Sequence, residues 1–295
     1  MCELNVLVWN INGNYGLRSY AIPPFIASTI VRKNEGDKTA DIIILTEFIV
    51  APGWCHLKAV LEEYGYSIFT SYASEQNGVL IAINKNIEGL DKKSLESAVP
   101  CTKMNTVKDK KPNFLQVAIK NDKGIPLNIV GTRIRIERED KSSIRETQFT
   151  ALYDHLNSYK DQRVICAGDF NPRCSRKKYN KDKIDYEKKR NIEGQDKWSY
   201  WWIKDKLKNS TYKIITPDDG GSWVGDNNVM YLNDHIIISS NINVFDVEYD
   251  WRFVKKENGY VKVVNDEEVE LKEDDYKSHL KGYPDHAILW VKVNL

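Results

Sequence analysis

Short runs of large aliphatic residues, each ending in a polar or glycine-bearing turn, recur along the chain and predict most of its elements. Asn5-Val6-Leu7-Val8-Trp9-Asn10 reads as a strand, with Ile11-Asn12-Gly13-Asn14 as the turn at its carboxyl end. In Asp41-Ile42-Ile43-Ile44-Leu45-Thr46-Glu47 four consecutive aliphatics are what a strand covered on both faces requires, and the glutamate stands at its mouth. Gly78 to Ile83 and Val164 to Ala167 repeat the pattern. Phe114 to Ile119 and Leu127 to Thr132 flank the turn signal Asn121-Asp122-Lys123-Gly124 and predict a hairpin. Further strands are expected at Tyr66 to Tyr72, Lys213 to Thr216, Leu232 to Ser239, Val244 to Val254, Tyr260 to Val264 and Ala287 to Val291.

Helical periodicity is rarer. Apolar residues at 22, 25, 26 and 30, with Pro23-Pro24 suited to a first turn, predict a helix over 22–32. Leu57 to Tyr64 predicts a short one. Ser143-x-x-Glu146 has capping-box spacing, and Ile144, Phe149, Leu152 and Leu156 then keep one face, which predicts a helix over 143–159 with His155 on its surface. The lysine-rich stretch up to Lys111 reads as strand edges and loops. Trp198, Trp201 and Trp202 cluster near a short helix, where core packing explains them better than base stacking. The pattern is many strands with a few helices, with no internal repeat and no linker that clearly divides the chain.

Composition narrows the setting. With 41% apolar and 29% charged residues and no apolar run of membrane-span length, a soluble chain without a membrane anchor is expected. The amino terminus has none of the marks of a secretory signal, which points to a cytoplasmic location. Five scattered cysteines without a Cys-x-x-Cys pair, and five histidines without His-x-x-x-His spacing, signal neither a disulfide framework nor a zinc site. A metal, if used, would be a hard cation held by oxygen. The net charge of +1 singles out no polyanionic partner. Local charge does more: Arg173 to Arg190 holds nine basic and three acidic residues, and Asp266 to Asp275 seven acidic residues and one lysine. Both are expected to be insertions, around 173–197 and 255–280. The acidic one reads as solvated surface, whereas the basic one begins beside Asn171.

Chemistry gathers at strand mouths. Val164-Ile165-Cys166-Ala167-Gly168-Asp169-Phe170-Asn171 is a buried strand ending in a tight turn, with a carboxylate and an amide two positions apart. Gly-Asp-x-Asn is also ordinary turn chemistry, and Glu47 taken alone is also the first solvated residue after a buried strand. Neither alternative explains why acid, amide or imidazole recurs beside strong strands at Asn10, Glu47, Asp169, Asn171, Asp234, Asp285 and His286.

Taken in order, Trp9-Asn10-Ile11-Asn12-Gly13, Asp41 to Glu47, Gly168-Asp169-Phe170-Asn171, Asp234 in its strand and Pro284-Asp285-His286 resemble the endonuclease/exonuclease/phosphatase superfamily. This group includes apurinic endonucleases, pancreatic-type deoxyribonucleases, inositol polyphosphate 5-phosphatases and neutral sphingomyelinases, and the first motif looks most like the exonuclease III branch. The resemblance implies a four-layer α/β sandwich, two packed mixed sheets flanked by helices, as one domain over residues 1–295. It implies Mg2+, or Mn2+ in its place, held by Glu47 with Asn10 and Asp285. It makes Asp169 the residue that orients or deprotonates water, Asn171 a phosphate contact, and His286 the imidazole oriented by Asp234. Asn12, Arg173, Arg176, Lys177 and Trp223 are the expected substrate contacts. One departure stands out: many relatives carry Asn-Thr-His or a tyrosine motif where this chain reads Gly131-Thr132-Arg133. Arginine stays protonated at any working pH, so Arg133 can clamp phosphate but cannot act as a general acid.

The expected activity is metal-assisted phosphodiester hydrolysis, first as a nuclease on DNA or RNA, with nucleic acid as partner. A phosphatase or phosphodiesterase of a small molecule or lipid headgroup is the alternative, and a non-catalytic binding module a third. Oligomeric state is not legible.

Overall fold

The computed structural model describes residues 3–13, 21–31, 39–71, 77–103, 112–136, 143–172, 174–180, 200–225, 229–270 and 284–295. Arg173, Trp198, most of the basic stretch and the end of the acidic one lie outside them.

Two sheets carry the architecture. The six-stranded sheet contains β1 (Glu3–Asn10), β2 (Ile42–Phe48), β3 (Tyr66–Thr70), β4 (Gly78–Asn84), β12 (Asn243–Asp250) and β15 (Ile288–Asn294), in the order β12-β15-β1-β2-β4-β3. The five-stranded sheet contains β5 (Asn113–Lys120), β6 (Pro126–Arg133), β7 (Arg163–Asp169), β8 (Tyr212–Ile215) and β11 (Asp234–Ser239), in the order β5-β6-β7-β11-β8. Each sheet is mixed. Its one parallel pair lies near the centre, β1 with β2 in the first and β6 with β7 in the second.

The aliphatic runs are buried on both faces because each sheet has a sheet on one side and helices on the other. Val6, Val8, Ile42, Ile44, Ile165, Ala167, Ile236 and Ile238 meet between the sheets. The alternate residues Leu7, Trp9, Ile43 and Leu45 point outward, onto α1 (Pro24–Val31) and α2 (Trp54–Glu63) through Ile26, Ile30, Leu57 and Leu61. Val164, Cys166 and Ile237 likewise pack on α4 (Ser143–Asn157) and α5 (Tyr200–Lys208) through Phe149, Leu152, Tyr200 and Ile203. The layers are therefore helix, sheet, sheet, helix, the four-layer sandwich expected from the sequence.

Four local differences have physical causes. Within the stretch read as edges and loops lies a short helix, α3 (Lys92–Glu96), started by Asp91, whose side chain accepts the Lys93 N–H at 3.0 Å. A small hairpin of β9 (Trp223–Val224) and β10 (Met230–Tyr231) follows the glycine-rich turn, and its two-residue strands are too short to leave a periodic signal. The strand expected from Tyr260 becomes β13 (Val261–Val264), which pairs only with β14 (Glu267–Glu270) as a separate hairpin. His155 is half-buried, not on the surface: it bonds Gln116 Oε1 at 2.7 Å and packs edge-on against Phe114. Trp201 and Trp202 behave as core, Trp201 stacking on Tyr179 at 5.5 Å between ring centres and Trp202 packing partly buried against the same cluster.

Candidate active site

Strand register alone brings the polar residues together. Asn10 ends β1 opposite Thr46, the residue before Glu47, and Arg133 ends β6 directly opposite Asp169 at the end of β7. Asp234 opens antiparallel β11 and also faces Asp169. His286 precedes β15, whose Leu289 pairs with Val8 of β1. All of these strand ends lie at one rim of the sandwich.

Backbone strain aims the two carboxylates. Thr46 pairs with Val79 and Phe48 with Gly78, so Glu47 is the extra residue of a β-bulge, and its φ is +51°. Its carbonyl accepts the Gly13 N–H at 2.9 Å, and a Cβ on Gly13 would fall 1.9 Å from that oxygen, so only glycine fits there. Gly168 has φ +148°, and a Cβ there would meet the Thr132 carbonyl at 1.8 Å, which fixes glycine immediately before Asp169. The turns after β1 and β7 match: Asn10 Oδ1 accepts the Asn12 N–H and Asp169 Oδ1 the Asn171 N–H, both at 3.0 Å. Asn12 (φ +52°) and Asn171 (φ +44°) are left-handed, a conformation asparagine tolerates better than most side chains.

Three contacts then tie one sheet to the other. Asn10 Nδ2 donates to Glu47 Oε1 at 3.1 Å and across the gap to Asp169 Oδ2 at 3.0 Å. Arg133 Nη2 lies 2.6 Å from Glu47 Oε1, and its Nε lies 3.5 Å from Asp169 Oδ2. His286 Nδ1 is 2.6 Å from Asp234 Oδ2. Asp285 accepts from Trp223 Nε1 at 3.2 Å, and Trp223 forms an isolated backbone bridge with His286.

Charge at the rim is set by burial and neighbours. Burial pushes the Asp169 carboxyl up to about 6, against the pull of His286 and Arg133 and with Asp234 adding to the rise. Burial alone would push His286 down. The Asp234 carboxylate in contact with it, with Asp285 and Asp169 beyond, reverses the sign and raises it to about 10. Asp285 is raised by burial, opposed by His286 and reinforced by Glu47. Burial of the Asp169 carboxyl and the carboxylates around the His286 imidazole thus both favour the protonated form.

The other sequence-derived candidates fall as follows. Asn171 is buried and donates Nδ2 hydrogens to Asp169 Oδ2 and the Ile134 carbonyl, both at 2.8 Å, so both amide hydrogens are engaged and one of them holds Asp169. Asn12 is 5% exposed beside Asn10. Arg176 donates to the carbonyls of Pro217, Asp218, Asp219 and Gly220 and stacks on Tyr179, while Lys177 is exposed. Sequence reasoning missed the supports. Trp9 Nε1 donates to the His286 carbonyl at 2.9 Å, Arg145 Nη1 to the Asn171 carbonyl at 3.1 Å, and Ser222 Oγ accepts the Asp234 N–H at 3.0 Å. A buried arginine inside a charged helix leaves no sequence signal, and a serine in a glycine-rich turn reads as turn chemistry.

Hard oxygen donors are present, yet as arranged they do not fit a resident divalent ion. Glu47 Oε1 already accepts from Arg133 and Asn10, and the Asn10 oxygen is turned onto its own turn. Among the described residues no three Asp, Glu, His or Cys side chains converge as a metal site.

No family model matches the chain, and no curated protein matches it. Solved structures do. An endonuclease/exonuclease/phosphatase family protein from Bacteroides thetaiotaomicron superposes with a TM-score of 0.60 at 14% identity, covering 99% of this chain and 98% of that one. D. rerio TDP2 complexed with single strand DNA product gives 0.55 at 13% identity over 99% of both chains. The human Nocturnin catalytic domain with bound sulfate anion gives 0.57 at 13% identity, over 99% of this chain and 93% of that one. With its two stacked mixed sheets and acidic rim, the chain has the fold of the endonuclease/exonuclease/phosphatase proteins.

Proposed function

We propose that the protein hydrolyses phosphoesters at this rim, with a nucleic-acid phosphodiester as the substrate. The observation that carries the reading is the Asp234–His286 couple closing across the sheet gap next to Asp169, an acid and base set apart in charge by their surroundings. In this reading Asp169, raised to about 6, takes a proton from water as the water oxygen bonds to phosphorus and the ester P–O bond breaks, the departing oxygen taking a proton from solvent. Asn171 and Asn10 hold that carboxylate in place. The His286 imidazolium, fixed through Nδ1 by Asp234, offers positive charge to the non-bridging oxygens as charge builds there. Arg133 adds a second, permanent positive charge.

Support for nucleic acid comes from the basic composition of 173–190 and from the similarity in fold to a TDP2 solved with single-stranded DNA. A small phosphoester, an inositol phosphate or a sphingomyelin-type headgroup, is the second reading. It is favoured by Arg176, whose guanidinium is committed to the 217–220 loop and not free to follow a strand. Among the described residues no helix is long and apolar enough to cross a membrane.

The test is a panel of single-stranded DNA, duplex DNA, RNA, inositol phosphate and sphingomyelin, each with magnesium and with chelator. Magnesium is included because it is the ion the sequence resemblance implies. Hydrolysis lost in Asp169→Ala is expected on at least one substrate. Nucleic-acid cleavage should fall steeply with added salt, small-phosphoester cleavage far less. Identical behaviour of wild type and Asp169→Ala on every compound contradicts the reading.

A further inference from the structure

Arg133 and a divalent ion have the same claim on Glu47. The Arg133 Nη2 to Glu47 Oε1 contact of 2.6 Å is as close as a charge-assisted hydrogen bond gets, and the two side chains are only 16% and 12% exposed, so water screens the pair weakly. An ion such as magnesium or manganese needs carboxylate oxygen at about 2.1 Å. A guanidinium already bound to one oxygen of this carboxylate weakens its hold on such an ion, because the two cations would repel each other in a poorly screened gap. Arginine does not resolve the conflict by losing its proton.

The guanidinium is also incompletely used. Its Nε is buried and has no hydrogen-bond partner among the described residues, since the Asp169 oxygen at 3.5 Å is near enough only for an ion pair. The Asp234–His286 pair carries a loose end of its own, since Oδ2 holds the imidazole while Oδ1 is buried without a hydrogen-bond partner among the described residues.

We propose that Arg133 is the resident cation of Glu47 and competes with a divalent ion for that carboxylate, so that the rim as built favours the guanidinium over a metal. The proposal rests on the rim being a phosphate-handling site only for its purpose. The competition itself is a matter of charge and space.

Calorimetric titration with manganese chloride, without any phosphoester, tests it. Removing the resident charge in Arg133→Gln should tighten manganese binding by about tenfold or more over wild type. The gain should vanish in the double variant Glu47→Gln/Arg133→Gln, and Arg133→Lys, which keeps a cation, should stay close to wild type. Arg133→Met is the second neutral variant should the glutamine form fail to fold. Equal or weaker manganese binding in whichever neutral variant folds overturns the competition. Since nothing is hydrolysed, that result leaves the hydrolase reading standing, and an inactive enzyme with tightened metal binding would separate the two in the other direction.

Discussion

Two ion pairs bridge the same gap between the sheets, and they are built on opposite terms. Asp234 and His286 form a titratable pair in which each side chain serves the other, 0% and 7% exposed, with the backbone around them pinned by Ser222 and Trp9. Glu47 and Arg133 form a permanently charged pair in which a strained glutamate is shared between Arg133 and Asn10, and the arginine has a donor to spare. The first pair leaves Asp234 Oδ1 buried without a hydrogen-bond partner among the described residues. The second keeps its charge at any working pH on the arginine side. Asp169 lies between them, opposite both Asp234 and Arg133 in register.

The largest effect should come from the residue between the pairs. Asp169→Asn keeps the shape and removes the base, and hydrolysis is expected to fall by about 10³-fold or more with little loss of thermal stability, read by initial rates and a melting curve. A loss below tenfold would mean that the base lies elsewhere. Next is the titratable pair: His286→Gln should cost about 10²-fold in kcat and leave KM within a few-fold, because the imidazolium acts on charge that develops during the reaction. A KM effect alone would make His286 a binding group.

The permanently charged pair should show itself in stability. Arg133→Gln removes a charge-assisted hydrogen bond from a half-buried pair and should lower stability by about 1–3 kcal/mol in urea unfolding. Saturating manganese should restore part of that loss in the variant and add little to wild type. The smallest effect concerns His235, whose side chain belongs to a different environment from its neighbour Asp234. Its ring is buried against Phe170 and Tyr200 and bonded to Thr216 and Leu232. Burial pushes it down from 6.5 to about 3, so between those values the unfolded chain holds a proton that the folded one refuses. Stability therefore falls as pH falls through that window, by at most about 1.4 kcal/mol per pH unit from this residue. His235→Phe should flatten the slope, and an unchanged slope would place the acid sensitivity in other groups.

How legible each half was follows from how local its causes are. Glu47 and Asp169 can be found in the sequence because strands buried on both faces must be aliphatic without alternation, and the first acid after such a run stands at the sheet's rim. The four layers follow from the same runs together with a few amphipathic helices. The partnering of Arg133 with Glu47 cannot be found that way. The two residues are on different sheets, and what joins them is the approach of β6 to β2 and a bulge at a single residue. Arg176 fails for a similar reason: its charge suggests a phosphate contact, but four carbonyls of a loop more than forty residues away receive it. The support given by Trp9, Arg145 and Ser222 is equally non-local.

Whether the two sides of the rim act on one phosphorus atom is tested most directly by a double-mutant cycle between Asp169→Asn and His286→Gln, measured as kcat/KM on bis(p-nitrophenyl) phosphate. Residues that work as a unit on one reaction should give a double variant no more than a few-fold worse than the poorer single one. Losses that multiply fully, or a double variant as active as wild type, would contradict a single shared centre.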